Sequence, residues 1–150
     1  VNKTEEDVQE FIENFRQEFK TLPPEDVAFP RGVNGLREYS DRMEIYKKGT
    51  PIHVRGALLF NHHCKRFGIE KKYQPIRDGD KIKFVYVRTP NPLQEDVIAF
   101  PQVLPKEFGL DAYIDYDKMF EKVFLDALQI VIEPLGWKTQ EESSLEDFFG

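Results

Sequence analysis

From Asp117 to Leu135, Phe120, Val123, Phe124, Ala127, Leu128, Val131 and Ile132 recur at every third or fourth position. Only an α-helix gathers such a set on one face, and a face that apolar has to be covered by another element. Pro134 and Gly136 supply its stop. The opening segment has the same character. Thr4-Glu5-Glu6-Asp7 has the form of a capping box, and Val8, Phe11, Ile12, Phe15 and Phe19 follow at helical spacing until Leu22-Pro23-Pro24. A further helix is predicted from about His53 to Phe67, with Pro51 before it, Gly68 after it, and Ala57 and Leu58 facing inward. The period then changes. Asp78-Gly79 is a turn signal, Lys81 to Val87 alternates in strand fashion, and Val97-Ile98-Ala99-Phe100 before Pro101 offers a partner strand. These patterns predict an α+β fold, mainly helical, with a small antiparallel β element. Two short segments echo each other, Glu25 to Pro30 and Glu95 to Pro101, by chance or as two similar strand ends.

The 13 Phe and 6 Tyr in 150 residues are enough apolar material for one core. We expect one globular domain over residues 1–137. After Trp137 the chain turns polar and acidic through Ser144, so residues 138–150 read as a flexible tail. The lone Cys64 rules out an internal disulfide, and no run has the length of a membrane span or a signal peptide, which together predict a soluble, cytoplasmic protein. The chain starts at Val1 rather than Met, and the expectation is a piece of a larger polypeptide or assembly, or a processed product.

A net charge of −6 argues against a nucleic-acid partner only as an average. From Tyr46 to Pro90 there are 11 Lys/Arg against 3 Asp/Glu, a local +8, while the other 105 residues carry 10 against 24. Clustered cations bind phosphates through counterion release, and an acidic remainder keeps other surfaces off the polymer. On the predicted helix Arg55, His62 and Arg66 share one face. No catalytic set is legible. His62, His63 and Cys64 are adjacent and point apart on a helix, with no second ligand pair beside His53, so no metal site is predicted. Cys64 reads as a small core residue rather than a nucleophile. Gly32 and Gly35 lack the Lys and Ser/Thr of a phosphate-cradling loop.

The chain closes on Ser144-Leu145-Glu146-Asp147-Phe148-Phe149-Gly150. Two adjacent phenylalanines and a leucine at a polar terminus gain nothing from folding alone, so Leu145, Phe148 and Phe149 read as a docking peptide for a pocket on another protein. The L-x-x-F-F spacing resembles the peptides by which replication proteins bind sliding clamps.

Val27 to Val33, Pro51-Ile52-His53-Val54-Arg55-Gly56, Asp78 to Ile82, Ile98 to Pro101, Leu104-Pro105-Lys106-Glu107 and the terminal peptide, in this order, resemble the C-terminal thumb of the family B DNA polymerases of T-even-type bacteriophages. The resemblance covers essentially the whole chain. It implies a thumb that grips double-stranded primer-template DNA, works with the remaining polymerase domains or an N-terminal polymerase subunit, and docks on the sliding clamp through its tail. His53, Arg55, His62, Lys65, Arg66, Lys71, Lys72, Lys81 and Lys83 would then contact phosphates, with His53 read equally as a helix cap. The palm motifs that carry the metal-binding aspartates are absent, so the resemblance implies no catalysis by this chain alone and no cofactor in it, with Mg2+ expected in the missing palm domain. An independent nucleic-acid-binding module would show the same basic stretch.

Overall fold

The computed structural model describes residues 4–139. They divide into two compact units, Pro23–Tyr116 and the combination of residues 4–22 with 117–139. The fold is α+β.

The second unit is helical. α1, Glu5–Phe19, starts on the expected capping box: the Asp7 N–H donates to Thr4 Oγ1 at 3.2 Å and the Thr4 N–H to Asp7 Oδ2 at 3.1 Å. Helical chain returns as α5, Tyr116–Phe120, a π-helical turn at Glu121–Leu125, and α6, Asp126–Ile132. A 3-10 turn at Glu133–Leu135 holds Pro134, and Gly136 ends it in the left-handed region at φ 73°. Phenylalanine rings join the two stretches. Phe15 meets Phe124 edge to face at 4.8 Å between centroids and Phe120 at 5.7 Å, and Phe19 meets Phe120 at 5.1 Å.

The expected apolar face of residues 117–135 needs correction. Phe120 and Ile132 are buried and Phe124 and Leu128 half-buried, but Ala127 and Val131 are exposed. A π turn admits one extra residue, which rotates everything beyond it by about 100° relative to an unbroken helix. The inward series therefore runs 120, 124, 128, 132. On α1, Ile12 and Phe19 are buried while Phe11 lies outside the core.

In the larger unit, α2 (Pro24–Val27) leads into β1, Phe29–Gly32. A short helix α3 (Leu36–Tyr39) and a small hairpin of β2 (Ser40–Asp41) and β3 (Ile45–Tyr46) precede α4, Ile52–Arg66. β4, Lys81–Tyr86, and β5, Val97–Phe100, complete a three-stranded antiparallel sheet in the order β1-β4-β5. The expected pair is β4 with β5, registered Phe84 to Ala99 and Tyr86 to Val97. β1 is the strand that pattern reading missed, because Pro30 and Gly32 interrupt its four residues; Pro30 is tolerated on an edge strand. The echoing segments differ in structure, since Glu25–Val27 lies in α2 and only Phe29 and Pro30 enter β1, whereas Val97–Phe100 forms β5.

β5 is an edge, yet all four of its residues are buried. α4 covers it. At Gly56 the approach leaves no room for a side chain, since a Cβ there would lie 3.0 Å from the Ala99 nitrogen and 3.1 Å from the Ala99 Cβ. Val54, Ala57, Leu59 and Phe60 face the core from α4, whereas Leu58, expected inward, is only half-buried.

Candidate nucleic-acid interface

α4 sets the geometry of the basic stretch. Its first turn has no side-chain cap, so His53 does not act as one. Burial, then the nearby Arg31 guanidinium, lowers the His53 pKa, which leaves the ring neutral near pH 7 and able only to donate or accept a hydrogen bond. Arg55, two residues on, is committed inside the fold. Its Nη1 lies 2.7 Å from Asp96 Oδ1, and its guanidinium sits 5.5 Å from the Tyr46 ring centroid. The segment Pro51 to Gly56 is thus a packing device: Arg55 ties the helix to the residue before β5, and Gly56 lets the helix touch that strand.

Cations gather at the other end of α4. His62, Lys65 and Arg66 are exposed in its last two turns, and the chain then folds back tightly, with the Ile69 N–H donating to the Cys64 carbonyl at 2.9 Å and Gly68 at φ 68°. That places Lys71 and Lys72 in the turn directly after the helix. Lysine and arginine here also complement the partial negative charge of the helix C-terminus. The Arg66 guanidinium lies 4.7 Å from the Phe67 ring centroid. Lys72 is engaged: its Nζ is 3.0 Å from Glu107 Oε2, while the Tyr73 hydroxyl donates to Glu107 Oε1 at 2.9 Å. The bond to Glu107 raises the Lys72 ammonium above its ordinary pKa.

The two strand lysines lie elsewhere. Paired residues of neighbouring strands share a face, so Ala99, against which α4 packs, lies on the side of Phe84, and Lys81 and Lys83 project from the opposite side. Lys83 Nζ donates to the Glu25 carbonyl at 3.0 Å. The sequence-derived set is therefore divided. His62, Lys65, Arg66 and Lys71 form an accessible basic end, Arg55, Lys72 and Lys83 are held by internal acceptors, and Lys81 is exposed on the far side of the sheet. Among the described residues no ion pair engages Lys65, Lys71 or Lys81. Arg31, Asp96 and Glu107 shape this region and were not foreseen; Asp96 and Glu107 meet their partners across 41 and 35 residues of sequence.

His63 and Cys64 face inward from α4. Burial raises the Cys64 thiol to about 12, in keeping with a core residue. His63 packs against Phe67 and Phe108, neither ring nitrogen has a partner, and desolvation, followed by Arg66 and His62, lowers its pKa to about 4. No helix among the described residues is long and apolar enough to cross a membrane. No group of three or more His, Cys, Asp or Glu side chains among them is placed to hold a metal ion. The terminal Leu145, Phe148 and Phe149 lie outside the described residues.

The described residues thus present an α+β fold with an accessible basic end on α4. Comparison with known proteins gives it a relative. The chain is 33% identical over 154 aligned positions to the DNA-directed DNA polymerase of Enterobacteria phage T4. The match takes in all of this chain and 17% of that polymerase, so the chain matches one part of it. It is also 32% identical over 80 residues to an uncharacterized protein of Aquifex aeolicus, covering 53% of this chain and 50% of that protein. No family model matches the chain.

Proposed function

We propose that this chain is the C-terminal thumb part of a family B DNA polymerase, holding primer-template duplex by its phosphates and docking on a sliding clamp through Leu145, Phe148 and Phe149. The observation that carries the reading is the match of the whole chain to part of a phage DNA polymerase. The basic end of α4 supports it, because contacts from Lys65, Arg66 and Lys71 to phosphates give affinity without reading sequence. The role is positional. Mg2+ and the carboxylates that hold it belong to the palm, and this part keeps the duplex in place while chemistry proceeds there.

Primer extension tests the proposal. The purified chain alone extends no primer with any divalent metal, and adding it to the polymerase polypeptide of the same genome lengthens the products made per binding event. An independent nucleic-acid-binding module would bind duplex yet leave extension unchanged, and that result would overturn the polymerase reading.

A further inference from the structure

α6 and the turn after it carry an apolar strip that no described residue covers. Ile130, Val131 and Leu135 are 74, 68 and 60% exposed, and Ala127 and Pro134 lie exposed between them. At about 100° per residue Ala127, Ile130 and Val131 span roughly 100° of the α6 circumference, and Pro134 and Leu135 extend the strip in the 3-10 turn that follows. Scattered surface hydrophobics are ordinary, but a contiguous strip along one helix marks a contact surface. The helical unit is also short of a layer, since of its residues only Ile12, Phe19, Met119, Phe120 and Ile132 are buried hydrophobics, and paired helices usually bury their remaining apolar face on a further element.

We propose that this strip is the docking face for the rest of the polymerase, the part bearing the palm; the inference rests on the polymerase reading above. Two observations select that occupant. The chain spans 17% of its phage relative's length, so in a polymerase of that kind most of the protein lies outside this chain and has to hold it. Charge disfavours a second copy of the chain: residues 4–22 and 117–139 carry ten Asp/Glu against five Lys/Arg, and two such units would repel. Asp126 and Glu133 flank the strip on one side, so the matching surface is an apolar patch edged by Lys or Arg.

The test uses the full chain with Ile130→Glu and Val131→Glu combined, binding to the polymerase polypeptide of the same genome by calorimetry, and primer extension. We expect an unchanged melting temperature, duplex affinity within twofold of the parent, and a loss of at least 100-fold in affinity for the polymerase polypeptide. Leu135→Gln serves as the second variant should the double one not fold, with a loss of at least tenfold. Assembly within threefold of the parent overturns the proposal. So does a dimer of the parent chain that the substitutions disperse, or a melting temperature that drops several degrees both with the substitutions and on removal of Leu145 to Gly150, which would mean that the chain's own tail covers the strip. A parent chain that neither binds nor stimulates the polymerase polypeptide refutes the polymerase reading itself, and the two failures are thereby distinct.

Discussion

Replacing Gly56 by alanine sets two opposed effects against each other, and the geometry decides between them. Alanine in a helix interior is worth about 0.5–1 kcal/mol over glycine, so propensity alone predicts a more stable chain. The added Cβ would stand 3.0 Å from the Ala99 nitrogen, 3.1 Å from the Ala99 Cβ and 3.4 Å from the Ile98 carbonyl carbon. Those neighbours are backbone and a stub of side chain, with no rotamer to move away. The strand cannot yield, because Ala99 is paired to Phe84 and all of β5 is buried. Nor is the helix free to lift. Asn61 holds it to the following loop by accepting from the Ile76 N–H at 2.8 Å and donating to the Ile76 carbonyl at 2.9 Å, and Arg55 holds it to Asp96. Overpacking of this kind costs about 1–3 kcal/mol, so we expect Gly56→Ala to destabilise by about 1–2 kcal/mol net, and Gly56→Val by more. At roughly 2–4 °C per kcal/mol for a chain of this size, the alanine variant should melt about 2–8 °C lower by circular dichroism. Adding Ala99→Gly removes one of the close atoms and leaves the nitrogen, so a double-mutant cycle should show partial, favourable coupling. An alanine variant that melts at or above the parent temperature would refute the close-approach argument.

Lys65→Glu with Arg66→Glu should weaken duplex binding and flatten the dependence of log K on log salt by about one unit per lost phosphate, from a parent slope of roughly −3 to −4, while Lys81→Glu, on the other face of the sheet, leaves the slope unchanged. Equal loss from all three would mean that the far face also touches DNA. For His63 the sign is fixed by burial: its pKa is held at about 4 in the fold against 6.5 when exposed, so the unfolded chain binds the proton first. Stability is then full above about pH 6.5 and falls by up to about 3 kcal/mol as the pH drops toward 4, and His63→Leu should flatten that part of a urea-denaturation pH profile. Phe148→Ala with Phe149→Ala should abolish binding to the cognate clamp in calorimetry and leave the melting temperature unchanged; a lower melting temperature would place those rings in the chain's own core.

Local chemistry was legible and distant pairing was not. The capping box at Thr4, the start of β4 after the Asp78-Gly79 turn, and the left-handed glycines after α4 and α6 each follow from residues within a few positions of one another, which is the range over which backbone propensity acts. The π turn at Glu121–Leu125 left no such mark, and it decided which of two adjacent apolar rows, 123-127-131 or 124-128-132, would face inward. The basic stretch shows the same limit in electrostatic form. A count of +8 treats every cation as available, but Arg55, Lys72 and Lys83 meet Asp96, Glu107 and the Glu25 carbonyl across 41, 35 and 58 residues. No spacing rule operates at that distance. Arg55 and Lys83, partly buried, are held by their acceptors, whereas Lys72 keeps its ammonium exposed in a surface pair that phosphate can replace, so the fold converts part of a charge run into internal ties and leaves the cations at and after the end of α4 accessible. Of these ties only Arg55 to Asp96 joins α4 to the residue before β5, so the helix that carries Lys65 and Arg66 is anchored at its first turn by a charge drawn from the same basic run.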